Sequence, residues 1–143
     1  MSDLTLDSLK QALGDAGFEI YRIDGDDIRV AERVRMHLME SGVVVCCDDT
    51  PHVALTVRGQ RSDFPSINES ELFERVRDTF APQMSERGFE ERSASTREIN
   101  NPADDSQLLD VWFEITFVRA ASDASSVVDD VRWALSVSKC IGP

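Results

Sequence analysis

The segment LLDVWFEITFVRA (residues 108–120) has the most regular apolar alternation in the chain. Successive side chains of a β-strand point to opposite faces, so every second residue shares a face. Five apolar residues share one face of this segment: Leu109, Val111, Phe113, Ile115 and Phe117. The other face carries Asp110, Trp112, Glu114 and Thr116. The pattern predicts a strand with one face over a core and one face outside.

The segment IRVAERVRMHLME (residues 28–40) alternates in the same way. As a strand, it predicts that Val30, Val34, Met36 and Leu38 are buried together and that Arg29, Arg33 and Arg35 are exposed. A helix is the alternative, because the composition favours helix and Gly42 follows as a suitable helix end. We favour the strand, since the alternation is more regular than the helical stripe.

Three further segments have the apolar spacing of helices: residues 4–16, the segment after Asn68 and the segment after Ser126. Thr5, Asn68 and Ser126 are suitable N-cap residues for them. Shorter strands are predicted at 18–23, 43–47, 52–59 and 89–99, with a polar loop at 100–107.

This order of elements predicts one α+β domain over residues 1–143. It has two layers, with an antiparallel sheet and helices packed on one face of the sheet. If residues 28–41 were helical, the fold would instead include a βαβ unit.

The charge balance limits the classes of partner. The chain has 27 Asp and Glu against 15 Lys and Arg, a net charge of −12. Binding to nucleic acid needs an excess of Lys and Arg, and an anionic membrane would repel this chain. We therefore expect a protein or peptide partner, with no nucleic acid and no membrane.

The cysteines do not form the framework of a secreted disulfide protein, because there are three and two of them are adjacent. With no signal-peptide pattern and no long apolar run, we expect a cytoplasmic protein. Cys46 and Cys47 would point to opposite faces of a strand, which does not suit one metal ion. Catalytic and cofactor motifs are also lacking, so we predict no catalytic, cofactor or metal site and favour a non-enzymatic role.

A possible partner-binding surface consists of Trp112, Arg29, Arg33 and Arg35. An exposed Trp beside arginines is typical of interface anchors. The alternative for the arginines is an ordinary exposed sheet face paired with cross-strand acids, for which Glu19 and Glu114 are the candidates. The alternative for Trp112 is burial under a further helix or a second subunit.

The stretches LTLDSLKQALGDAGFEIYRIDGDD, ELFERVRDTF and VVDDVRWALSV give an order of elements that covers nearly the whole chain. In this order, length and low pI, the chain resembles the type III secretion chaperone-like superfamily, including YbjN-type proteins. The resemblance implies a dimeric, non-enzymatic fold that holds a peptide on its sheet and helix surfaces. No functional residue of that family can be carried over, and the arginine-rich stretch departs from the apolar patches of such chaperones.

We therefore expect a chaperone-like adaptor or small regulator that forms a homodimer. Two other functions stay open at this point. One is a small-ligand-binding or enzymatic domain that uses the same sheet. The other is an acidic mimic of nucleic acid that binds a basic protein.

Overall fold

The structure, a computed structural model, describes residues 4–142. The first three residues, which belong to the N-terminal segment without a signal-peptide pattern, lie outside the described residues. Within residues 4–142, the helices are α1 (Leu6–Asp15), α2 (Glu69–Glu86) and α3 (Ala124–Ser136). The strands are β1 (Ile20–Asp24), β2 (Asp27–Val34), β3 (His37–Cys46), β4 (His52–Gln60), β5 (Glu90–Asn101) and β6 (Asp104–Ala120).

The strands form a six-stranded antiparallel sheet in the order β1-β2-β3-β4-β6-β5. Together with the helices, this is the α+β two-layer fold that the sequence predicts. Residues 28–34 and 37–41 are strand and none of residues 28–41 is helical, so the alternative with a βαβ unit is wrong.

The chain forms two compact units. The first comprises the chain through Leu55 and Val118–Val137. In it, α1 contacts α3, and α3 contacts β3. Its core draws apolar side chains from both helices and three strands, including Leu9, Leu13, Ile28, Val30, Val43, Val45, Val53, Leu55, Val127 and Val131.

The second unit comprises Thr56–Phe117 and the chain from Ser138 onward. Here β4 approaches α2 closely at Gly59, where an added Cβ would lie 2.9 Å from Val76 Cγ2 and 3.0 Å from Leu72 Cδ1. The core of this unit includes Val57, Leu72, Val76, Phe80, Met84, Phe89, Phe113, Ile115 and Phe117. The expectation of a single domain over residues 1–143 stays a prediction.

The helix starts follow from local side-chain chemistry. The side chains of Thr5 and Asn68 accept hydrogen bonds from the backbone N–H groups of Ser8 and Glu71, as expected of N-caps. The third expected cap is wrong, because α3 begins at Ala124 and its N-cap is Asp123. Ser126 is the residue that completes the capping box of Asp123, by accepting from the Asp123 backbone N–H.

The burial expected along residues 28–38 is only partly correct. The chain reverses at Arg35 and Met36, so this segment is two strands of a hairpin and not one strand. Val30 is 1% exposed, whereas Val34, Met36 and Leu38 are exposed at 44%, 87% and 39%. Their predicted burial is wrong, because the end of the hairpin lies beyond the residues that cover its base.

The polar loop expected at residues 100–107 is also wrong. β5 and β6 continue through this region and meet at a two-residue turn, Pro102 and Ala103. β6 is therefore longer than predicted, and its predicted apolar face is covered only in part. Phe113, Ile115 and Phe117 are buried, but Leu109 is 53% exposed.

Candidate functional site: an apolar hairpin tip

The strongest surface feature is the end of the β2–β3 hairpin, residues 31–40, which we call the arm. Its strands pair with each other from Ala31 opposite Glu40 to Val34 opposite His37. In β2, the residues that pair with β1 extend as far as Val30. In β3, the residues that pair with β4 start at Val43. The arm therefore extends beyond the pairing of both neighbouring strands, joined to the segment before β1 by a backbone hydrogen bond from Ala31 to Glu19.

A β-bulge separates the arm from the buried base of the hairpin. The register shifts between Arg29 and Ala31, and Ser41 lies in the shifted part of β3. The buried Ser41 Oγ donates to the Val30 carbonyl at 2.7 Å and accepts from the Val43 N–H at 3.2 Å. These bonds satisfy backbone groups that the irregular ladder leaves unpaired, so the bulge is a stable feature at which the arm begins.

The turn at the end of the arm places a non-glycine residue in a left-handed conformation. Arg35 has φ 61°, and it is the one positive-φ residue other than glycine in the described part of the chain. The β1–β2 turn uses Gly25 in the same place, with φ 59°. A side chain in this conformation costs about 1–2 kcal/mol relative to ordinary backbone. The strained residue directly precedes Met36, which is the most exposed apolar residue of the arm.

Four apolar residues of the arm are exposed, and we call them the apolar tip: Val34, Met36, Leu38 and Met39. Cross-strand partners share a face of a ladder. Val34 is opposite His37, and Leu38 is opposite Arg33, so the apolar tip occupies both faces of the arm. Contiguous apolar surface of this kind marks interaction sites on proteins.

Two of the three candidate arginines are held by acids of the same unit. Arg33 donates to both carboxylate oxygens of Glu19, at 2.7 and 2.9 Å. Arg29 pairs with Asp24 at 2.7 Å and with Glu40 at 3.0 Å. The hydrogen bond from Arg33 lowers the pKa of Glu19, and the hydrogen bond from Arg29 lowers the pKa of Asp24.

These contacts agree with the interpretation of Arg29 and Arg33 as residues paired with nearby acids. Glu19, which lies just before β1, pairs with Arg33 as expected. Glu114 does not pair with these arginines, because it pairs with Arg97. Arg29 and Arg33 thus hold the base of the arm in place. Arg35 forms no ion pair or hydrogen bond with any residue from 4 to 142, so it is the basic group available beside the apolar tip.

Trp112 lies in the second unit, on β6. It is half-buried, and the guanidinium carbon of Arg58 lies 4.1 Å from its ring centroid. A cation over an aromatic face at this distance is a stabilising contact, so one face of the ring is already occupied within the unit. Its suitability as an interface anchor stays a prediction.

The cysteines are poorly suited to nucleophilic chemistry. Burial, with nearby carboxylates, raises the pKa of Cys46 to about 12 and that of Cys47 to about 11. The reactive form of cysteine is the thiolate, which such pKa values suppress at neutral pH. Among residues 4–142, no group of three or more His, Cys, Asp or Glu side chains is arranged to hold a metal ion.

The sequence reasoning missed the apolar tip because the turn has no composition signal. Neither Arg35 nor Met36 is a residue that marks a hairpin, unlike the Asp-Gly pair that begins at Asp24. The alternation therefore continued without a break through a point at which the chain reverses.

The sequence matches no family model, no curated protein and no solved structure. In the part of the chain that the structure describes, there is no helix with the length and apolar character needed to cross a membrane.

Proposed function

We propose that the protein is a cytoplasmic, non-enzymatic domain that binds apolar polypeptide segments, in the manner of a chaperone-like adaptor, and that the apolar tip is its contact surface. The observation that carries this proposal is the exposure of Val34, Met36, Leu38 and Met39 within six consecutive residues, with Met36 at 87%. The resemblance in element order agrees with it.

The side chains of the apolar tip suit a polypeptide partner of variable sequence. Methionine is unbranched and polarisable, so it adapts to differently shaped apolar surfaces, and the tip contains Met36 and Met39. Arg35 lies between Val34 and Met36 and has no partner among the described residues. It can donate hydrogen bonds to an acidic side chain that lies beside the apolar residues of a bound polypeptide. The net charge of −12 disfavours an anionic membrane surface as the occupant.

The ion pairs at the base of the arm support binding, because they limit how much of the arm must be ordered when a partner binds. The Arg33–Glu19 pair is bidentate, and Arg29 bridges Asp24 and Glu40. A surface that is already held in its binding conformation loses less conformational entropy when a partner arrives. The ion pairs at the base therefore favour binding without contacting the client.

The proposal can be tested with a defined probe. A fluorescein-labelled peptide with leucine at alternate positions and one glutamate is titrated with the protein, and fluorescence anisotropy is measured. The same peptide with serine in place of every leucine is the control probe. We expect binding of the leucine peptide and a loss of at least tenfold in affinity for M36D/L38D, because burying one such side chain is worth roughly 1.5–3 kcal/mol.

The chain offers a matched control variant, L108D/L109D. Leu108 and Leu109 lie on the β5–β6 hairpin, where they are exposed at 51% and 53%. This variant should bind the leucine peptide as the wild type does. The proposal is wrong if the wild type does not distinguish the two peptides, or if both double variants lose affinity equally.

Self-association is the second part of the proposal. A homodimer would present two apolar tips to one client, and two linked contacts bind more tightly than one. The resemblance in element order implies a homodimer but does not say which surface forms it.

A further inference from the structure

The two edges of the sheet differ in how they are protected. β1 has five residues, and its pairing with β2 shifts register between Ile20 and Arg22. Short length and bulges are the usual protection of an edge strand against pairing with another chain. β5 has 12 residues, and β6 is its neighbour in the sheet. The other edge of β5 is therefore a long row of backbone donors and acceptors.

The side chains of β5 leave this edge accessible. All residues from Glu90 to Glu98 are exposed, and the strand contains no proline. It also carries charges of both signs, at Glu90, Glu91, Arg92, Arg97 and Glu98. A strand of this kind can be extended by pairing with a further strand, which supplies backbone hydrogen bonds along its length.

We propose that β5 is the homodimer interface, and that it pairs antiparallel with β5 of a second copy with Ser95 at the two-fold axis. In this register Arg92 faces Glu98 of the partner subunit, and Glu98 faces the partner's Arg92. Glu90 then faces an asparagine and Glu91 faces an isoleucine, so like charges are not opposed. An isologous interface needs such a self-complementary surface.

Neighbouring registers are less favourable. With Ala94 at the axis, Glu91 faces Arg97 of the partner subunit, but Glu90 faces the partner's Glu98. With the axis between Ala94 and Ser95, Arg92 faces the partner's Arg97. Directly opposed like charges destabilise a ladder.

A further shifted register opposes no like charges and places Glu90 opposite Arg97 of the partner subunit. Its overlap ends at that pair, so fewer residues are paired. The register at Ser95 pairs more of the strand.

This inference rests on the self-association part of the proposed function, and its test needs no client. Sedimentation velocity of the full chain over a range of concentrations gives the dimer dissociation constant. We expect a weakening of about tenfold for R92E and for E98R, since each creates two like-charge pairs across the axis. The double variant R92E/E98R restores opposite charges and should recover the wild-type dissociation constant.

The control variant E90R separates the two registers. In the register at Ser95 it should leave the dimer unchanged, whereas in the shifted register it opposes the partner's Arg97 and weakens the dimer. Circular dichroism of each variant checks that the fold is retained. If R92E does not fold, the dissociation constant of E98R tests the proposal.

Three outcomes would overturn the proposal: a wild type that stays monomeric, single charge reversals without effect, or a double variant that does not recover. Dissociation by M36D/L38D alone would assign the interface to the apolar tip instead. Peptide binding by monomeric E98R shows whether the client-binding part of the proposal holds independently.

Discussion

The hairpins β2–β3 and β5–β6 both reverse in two residues and both extend past well-buried positions, yet their ends differ in chemistry. The end of β2–β3 carries the apolar tip, and its base is held by three arginine–carboxylate contacts. The end of β5–β6 is mostly polar, with local hydrogen bonds such as that from Asn101 Nδ2 to Gln107 Oε1. The first has the chemistry of a binding surface, and the second that of a solvated hairpin.

The difference teaches that alternation specifies the face of a side chain but not whether anything covers that face. Val30 and Val34 are even-numbered residues of β2, and Ile115 and Leu109 are odd-numbered residues of β6. In each pair the first is buried and the second is exposed. An apolar residue beyond the covered region stays in contact with water unless a partner binds it.

The largest expected effect is a difference in stability between substitutions at two valines of β2, of which one is buried and the other exposed. Val30→Ala should lower the free energy of unfolding by about 2 kcal/mol, because it removes buried methyl groups and leaves a cavity. Val34→Ala should lower it by less than about 0.5 kcal/mol, since Val34 is exposed. Urea unfolding at neutral pH measures both. Equal costs at the two positions would mean that the end of the hairpin is covered in solution.

A smaller effect concerns the turns. Gly25→Ala should destabilise the protein by about 1 kcal/mol, because alanine is strained at positive φ. Arg35→Gly should stabilise it by about 0.5 kcal/mol, because glycine relieves the same strain but loses more backbone entropy on folding. Thermal unfolding of the two variants, compared with the wild type, checks the prediction. Destabilisation by Arg35→Gly would show that the Arg35 side chain contributes to the fold.

The smallest effect compares the ion pair between Arg33 and Glu19 with the ion pair between Arg77 of α2 and Glu91 of β5. The hydrogen bonds from Arg33 and Arg77 lower the pKa of Glu19 and of Glu91. A lowered folded-state pKa means that each pair contributes stability above the ordinary value of 4.5, and that this contribution is lost as the pH falls through the lowered pKa.

Carboxyl carbon NMR titration measures both values directly. Arg33→Gln should return the pKa of Glu19 towards 4.5 and leave Glu91 unchanged, and Arg77→Gln should do the reverse. A Glu19 pKa that does not respond to Arg33→Gln would show that this ion pair does not hold the base of the arm.

Much of the candidate site could not be predicted from the sequence. Glu19 was correctly expected as a partner of the arginines, because it lies just before β1, the strand that pairs with β2. The pairing of Glu114 with Arg97 depends on which strand is adjacent to β6, and this is decided by the sheet order. The turn at Arg35 has no local signal, so the reversal that creates the apolar tip appears only in the register of β2 with β3.

The sequence by itself determined the elements whose causes are local. The period of the apolar residues made 28–34 and 108–120 strands, and the caps Thr5 and Asn68 began two helices where expected. Only the tertiary structure decided the strand order, the point where the β2–β3 hairpin reverses, and which alternating residues are covered. The physical reason is that backbone propensity and capping act between residues close in sequence, whereas burial depends on which distant elements arrive over a given face.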